Sequence, residues 1–367
     1  MKRGLFGQRR EKPATTARSV APALARRGQR PTRCGARGLH PDLLESGGVM
    51  AYRPSVLCPI DFSTPSRAAV RYATAIAERF RTGLTLLTVN DPVLAEAAEM
   101  QAGPGWTAED CQRELRLFFD RTFEHRTLFP IDVETVVTTG HPAKEILRIA
   151  RERRCDLIVM STHGLTGVRK RFFGATTERV LRETGTPVLV TPAVEPGPLY
   201  LENMRQLVGH VLAPVDLSAA SKRQVEVAGA LASAIDVPLL LAHVISPGSP
   251  GVRLAAVESV RRARSQQELN DLTGAVPVTA RTEAVTTFGD PAEEISRLAR
   301  DRHVGLIVMG LHAETPAGPR MGSVTYRVLC LSQTPVLALP PATTPPFARL
   351  TLPVVERRDV GVVGHAL

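Results

Sequence analysis

The chain repeats itself, and that constrains its fold more than any other feature. The stretch TTGHPAKEILRIARERRCDLIVM, residues 138–160, realigns on TFGDPAEEISRLARDRHVGLIVM, residues 287–309, placing Gly140 on Gly289 at an offset of 149. Upstream, Asp61 of CPIDFS falls on Asp216 of APVDLS at an offset of 155. Downstream, Pro187 of GTPVLV falls on Pro335 of QTPVLA at 148. Landmarks that keep their order through the whole stretch mark a duplicated unit. A length of 367 residues accommodates two such units, each large enough to bury its own core. The chain therefore divides into an arm at 1–49, a first module at 50–195, a Pro/Gly-bearing linker, a second module at 205–340 and an irregular tail at 341–367.

Inside each module, short apolar runs alternate with helical stretches. VLCPI, LTLLTV, VETVV, DLIVM and PVLV are rich in β-branched residues and lack polar alternation, which is the pattern of strands buried on both faces. Ser63 and Thr64 before Pro65 offer a helix start, and Asp290-Pro291-Ala292-Glu293 predicts a capping box. Ile146, Ile149 and Ala150, and likewise Ile295, Leu298 and Ala299, share one helix face at i, i+3, i+4 spacing. The expected architecture is α/β: two tandem doubly wound parallel sheets, each with its ligand crevice at the carboxyl ends of the strands.

Charge narrows the partners. The net charge is +10, but residues 1–49 hold 11 Lys+Arg against 3 Asp+Glu, so 11 − 3 = +8 belongs to the arm and only +2 to the rest. The arm is rich in Arg, Pro, Gly and Ala without an apolar period, which predicts disorder. Nucleic acid is not an expected partner outside it, and Met50, directly before the first strand, is a natural alternative start. No apolar run reaches the roughly 20 residues of a membrane span, so no membrane partner is expected, and the cytoplasmic location expected rests on cysteines read as buried thiols in a reducing compartment. The cysteines (Cys34, Cys58, Cys111, Cys155, Cys330) have neither metal-ligand nor disulfide-framework spacing.

Two loops carry the chemistry. In module one the strand DLIVM leads to Gly164, nine residues, Gly174 and a helix beginning Ala175-Thr176-Thr177. Glycines allow backbone to approach a ligand, and the N–H groups of a helix start favour phosphate. Arg169, Lys170 and Arg171 add positive charge. A plain connection with solvent-facing basic residues is the competing reading. In module two the loop from Gly310 through Ala313 to Gly322 is one residue shorter, and Ser323, Val324 and Thr325 open the helix.

These residues resemble the universal stress protein family over about residues 51–340. Its nucleotide pattern is Gly, two residues, Gly, nine residues, Gly, then Ser or Thr, after a strand such as IVM. Module one matches at Met160, Gly164 and Gly174, and departs at Ser161 and at Ala175, with Thr176 and Thr177 following. Module two matches at Met309, Gly310, Gly322 and Ser323, followed by Val324 and Thr325, and departs at Ala313. The resemblance implies Rossmann-like, adenine nucleotide alpha-hydrolase-like modules that bind ATP or another adenine nucleotide, with Mg accompanying it. It further implies that Asp61 and Asp216 contact adenosine and that Val89 and Val244 end the second strands beside it. Helix capping is the other reading of both aspartates. Family members pair through their last strand, so PVLV and PVLA are expected to pair within the chain, and homodimerisation stays open.

The expected role is stress-response regulation by nucleotide, with an interaction protein whose sites have decayed as the alternative. No Walker, zinc-protease or hydrolase signature occurs. The chain is therefore not expected to be an enzyme, weak ATPase activity apart. His163, His243 and His312 are expected to be hydrogen-bonded structural side chains.

Overall fold

A computed structural model describes residues 54–92, 107–123, 130–162, 174–192, 204–246, 255–276, 280–313 and 320–341. The first repeat runs β1 (Ser55–Pro59), α1 (Thr64–Phe80), β2 (Gly83–Asn90), α2 (Ala108–Thr122), β3 (Val133–Thr139), α3 (Pro142–Glu152), β4 (Leu157–Ser161), α4 (Ala175–Glu183) and β5 (Val188–Thr191). A short helix, α5 (Met204–Val208), leads into the second: β6 (His210–Pro214), α6 (Ser221–Ile235), β7 (Leu239–Ile245), α7 (Ala255–Thr273), β8 (Thr282–Phe288), α8 (Pro291–Asp301) and β9 (Val304–Gly310). A two-residue pair, β10 (His312–Ala313) and β11 (Arg320–Met321), precedes α9 (Ser323–Leu331) and β12 (Val336–Leu339). The expectations placed on the arm, on most of the tail, on Gly164 and on Arg169–Arg171 lie outside the described residues.

Ten strands form one sheet in the order β3-β2-β1-β4-β5-β12-β9-β6-β7-β8. Each half has the same internal order and is parallel throughout. The halves meet at an antiparallel pair, β5 with β12. Leu189 and Leu337, related by the repeat offset of 148, stand directly opposite each other, with Val188 facing Ala338 and Val190 facing Val336. A pseudo-two-fold axis therefore passes between those leucines, the within-chain form of an isologous interface.

Alternation along the strands divides the core. Val56 and Cys58 face one layer with Ala69 and Val70 of α1, Leu115 of α2, Val225 of α6 and Leu269 of α7. Leu57 and Ile158 face the other, with Ile146 and Ile149 of α3, Val180 of α4, Ile295 of α8 and Val328 of α9. Both layers continue across the joint, so burial on two faces explains the near-continuous apolar strands.

Local signals fix the helix ends. Ser63 caps α1 by accepting from Ser66 N at 3.2 Å, and Arg81 ends it at φ 51°. Asp290 caps α8 through Glu293 N at 3.1 Å. The expected reciprocal half of that capping box does not form, because the Glu293 carboxylate faces Arg327 at 3.6 Å. A full box occurs instead at α2, where Thr107 and Asp110 satisfy each other's backbone. The landmark glycines Gly140 and Gly289 sit at φ +149° and +148°, a conformation that side chains resist, which accounts for glycine in both copies.

The four described cysteines are unpaired, and burial pushes the thiols of Cys58 and Cys155 up, which keeps them protonated and unreactive. Among the described residues no helix is long and apolar enough to cross a membrane.

Candidate functional site

In module two the strand order reverses around β6, whose neighbours β7 and β9 connect to helices on opposite faces. Divergence there opens a crevice at the carboxyl ends of the strands. A cavity of about 860 Å³ occupies it. Asp216, Val244, Met309, Gly310, Gly322, Ser323, Val324 and Thr325, the eight module-two positions singled out from the sequence, all line this one space.

Asp216 follows β6 and sits exposed at the rim. Its Oδ1 accepts from Ser218 N and from Ser221 Oγ, both at 3.0 Å. Loss of water at the strand ends pushes this carboxyl up, but the hydrogen bonds from Ser218 and Ser221 outweigh that and hold it below its ordinary value. Leu217 takes a left-handed φ of 62° to turn the chain between them. Module one repeats the device: Phe62 has φ 62°, and Asp61 Oδ1 accepts from Ser63 N at 3.1 Å, from Ser63 Oγ at 2.6 Å and from Ser66 Oγ. Both carboxylates thus brace the start of the following helix, as the capping alternative requires, and both stand at the strand end where the ligand reading needs them.

Gly310 and Gly322 are glycines that the fold does not demand. Gly322 caps α9 at φ −61°, and a Cβ there would meet only Thr325 Oγ1, at an ordinary 3.6 Å. At Gly310 a Cβ would meet Gln224 Oε1, also at 3.6 Å. Both glycines line the cavity. Gly305 is the contrast: its Cβ would lie 2.3 Å from Val208 Cα, so close packing of α5 requires glycine there.

Two hydroxyls at the helix starts, those of Thr177 and Thr325, have a structural duty. Thr325 Oγ1 donates to Gly310 O and Thr177 Oγ1 to Ser161 O, each at 2.9 Å. Each threonine is buried and ties its helix to the preceding strand, so its single proton is engaged and it can offer a ligand only an acceptor. Ser323 and Ala175 are exposed, and Thr176 and Val324 are half-buried, at the first helical turns. The loop necks are pinned alike, by Gly174 N to Thr162 O at 2.9 Å and by Gly322 N to Leu311 O at 3.2 Å. In module one Val89 is half-buried and Met160 buried at the ends of β2 and β4, as Val244 and Met309 are on β7 and β9.

Two further groups stand at the site: Gln224, which carries no sequence motif, and His243, expected to be a hydrogen-bonded structural side chain. Gln224 of α6 donates Nε2 to Pro214 O at 2.6 Å and to Val308 O at 2.9 Å, and its Oε1 accepts from Gly310 N at 3.2 Å. It satisfies backbone groups where β6 and β9 part; module one has Ala69 at that position. His243 Nδ1 lies 2.9 Å from Val215 O, as Thr88 Oγ1 donates to Ile60 O at 2.8 Å in module one. A carbonyl only accepts, so Nδ1 carries the proton and the ring is a structural tie.

Residues 53–192 and again 208–340 match the family model described as universal stress protein family. A universal stress protein of Methanocaldococcus jannaschii is 28% identical over 137 residues, covering 37% of this chain and 79% of that protein. Among solved structures, a universal stress protein from Archaeoglobus fulgidus covers 78% of this chain and 96% of its own, at 19% identity and a TM-score of 0.51. A functionally unknown protein from Pseudomonas aeruginosa covers 81% and 95%, at 19% identity and a TM-score of 0.56. At such identity these two speak for the fold alone.

Proposed function

The chain belongs to the universal stress protein family, and on that premise we propose that it is a cytoplasmic stress-response protein that binds an adenine nucleotide, ATP foremost, in a regulatory rather than a metabolic role. One observation carries the reading. The cavity gathers all eight expected module-two positions, among them two glycines at which a Cβ would meet nothing closer than 3.6 Å.

Its parts suit the parts of a nucleotide. The first turn of α9, with the N–H groups of a helix start and the exposed Ser323, suits phosphate. Asp216, held ionised, accepts hydrogen bonds from ribose hydroxyls. Val244 and Met309 give an apolar floor, and the volume falls within the roughly 300–1,000 Å³ of small-molecule sites. Among the described residues no cluster of acidic, His or Cys side chains could hold a metal, so Mg²⁺ would ride on the phosphates. Module one keeps the nine-residue spacing between Gly164 and Gly174 and is the tighter ATP site in this proposal.

A second reading, an interaction protein without nucleotide, draws on Ala175, which removes the hydroxyl at the start of α4, and on Ala313. Nucleotide extracted from freshly purified protein separates the two. The proposal expects adenine nucleotide at a substantial fraction of a mole per mole; protein that is empty and stays empty after incubation with ATP supports the second reading. Sustained phosphate release from ATP would contradict the regulatory assignment.

A further inference from the structure

Two solvent-exposed arginines stand at the rim of the module-two cavity, the Arg264 side chain being 81% exposed. Arg261 and Arg264 of α7 line it beside Ser246 and Ser265. Arg261 Nη2 donates to Ser246 O at 3.3 Å, which seats its guanidinium at the end of β7. Arg264 bonds Glu268 through Nε at 2.8 Å, one helical turn further on.

Module one differs at the corresponding places. Gln112 of α2 reaches Thr135 on β3 at 3.4 Å, and Gln266 of α7 reaches Ala284 on β8 at 3.2 Å. Three residues later, Leu115 and Leu269 are both fully buried. The two helices therefore correspond at an offset of 154, which puts Thr107 and Asp110 where Arg261 and Arg264 stand. A positive pair in one module replaces a threonine and a carboxylate in the other.

A 5′-nucleotide is a linear object: phosphate, ribose, base. The strands β9, β6 and β7 are adjacent in that order. Two strand spacings of about 4.8 Å separate the first from the last, roughly 10 Å in all. With phosphate at α9, ribose lies over β6 beside Asp216, and the base reaches α7 and its arginines. A guanidinium only donates. Adenine presents one acceptor and an amino donor on that edge, whereas guanine presents two acceptors, O6 and N7, which arginine matches.

We infer that module two selects guanine over adenine nucleotides, reading the O6 and N7 edge with Arg261 and Arg264. The inference rests on the nucleotide reading above and divides it: module one, with Asp110 in place of Arg264, keeps the adenine preference.

Calorimetric titration of the full chain with ATP and with GTP tests this, using wild type, Arg261→Gln/Arg264→Gln and Gly322→Val. GTP is expected to fill one site at least tenfold more tightly than ATP fills that site. The double arginine variant should lose that margin with ATP affinity unchanged. Gly322→Val, whose Cβ the backbone accommodates, should abolish the GTP site and leave the ATP site. Circular dichroism checks that both variants fold; both changes line the cavity and lie outside the core. A GTP-to-ATP ratio that the arginine variant leaves unchanged overturns the inference while the nucleotide reading stands. Binding of ATP alone, at both sites, does the same. Binding of neither nucleotide overturns both.

Discussion

Leu337→Ala tests whether the two modules are held as one sheet by the β5–β12 pair. Leu337 and Leu189 are both buried, and they face each other across the joint. Truncation removes three carbons, about 2.4 kcal/mol at roughly 0.8 kcal/mol per buried methylene. The unfilled space raises this toward the 2–5 kcal/mol usual for Leu→Ala in a core. Leu189→Ala, its pseudo-symmetric counterpart, should cost a similar amount. Directly opposed positions of an antiparallel pair bring their side chains within contact reach, so the second truncation removes a contact the first has already lost. The double variant should therefore fall short of the summed costs by about 0.5–1 kcal/mol. Urea denaturation followed by circular dichroism measures all three. Single-variant losses below 1 kcal/mol, or strict additivity in the double variant, would refute a packed joint at these residues.

Other expectations follow from the same geometry. Gly305→Ala drives a Cβ to within 2.3 Å of Val208 Cα, so α5 must shift, and thermal melting should show a drop of several degrees; an unchanged Tm would mean that α5 does not pack there. Gly310→Ala meets only the end of Gln224 at 3.6 Å, so it should leave Tm nearly unchanged while weakening nucleotide binding in module two; equal affinity in dialysis would deny that ligand approaches this backbone. Asp290 is held below its ordinary carboxyl value chiefly by Arg327. A depressed folded value stabilises above the unfolded pKa of about 3.9 and is lost as pH falls through the folded one. Asp290→Asn should therefore flatten the decline of stability below about pH 4, and an identical pH profile would show that the pair contributes nothing.

The pseudo-dyad was present in the sequence, because the 148-residue offset between PVLV and PVLA relates the very residues that pair. The aspartates after β1 and β6 were legible for the same reason: two copies placed the same polar residue after the same apolar run. What stayed hidden depends on tertiary contact. Gln224 looks like any polar helical residue, and only the parting of β6 and β9 gives its amide three backbone partners. The engagement of Thr177 and Thr325 could not be read, since a hydroxyl beside a glycine suits a phosphate and a strand carbonyl equally. Arg261 and Arg264 belong to a helix whose polar faces carry no motif, and only its placement after β7 brings them to the cavity. The reason for Gly305 lies in α5, a five-residue helix without a cap signal.

Equilibrium dialysis of the full chain against labelled ATP, with Asp216→Ala, Asp61→Ala and Gly322→Val beside wild type, tests the central claim most directly. Saturable binding is predicted, reduced most by Asp61→Ala at the tighter module-one site and to a smaller extent by Asp216→Ala and Gly322→Val, which act on the weaker ATP binding of module two. Protein that retains no ATP at millimolar concentration, or retains it equally in wild type and all three variants, would contradict a nucleotide site at these strand ends.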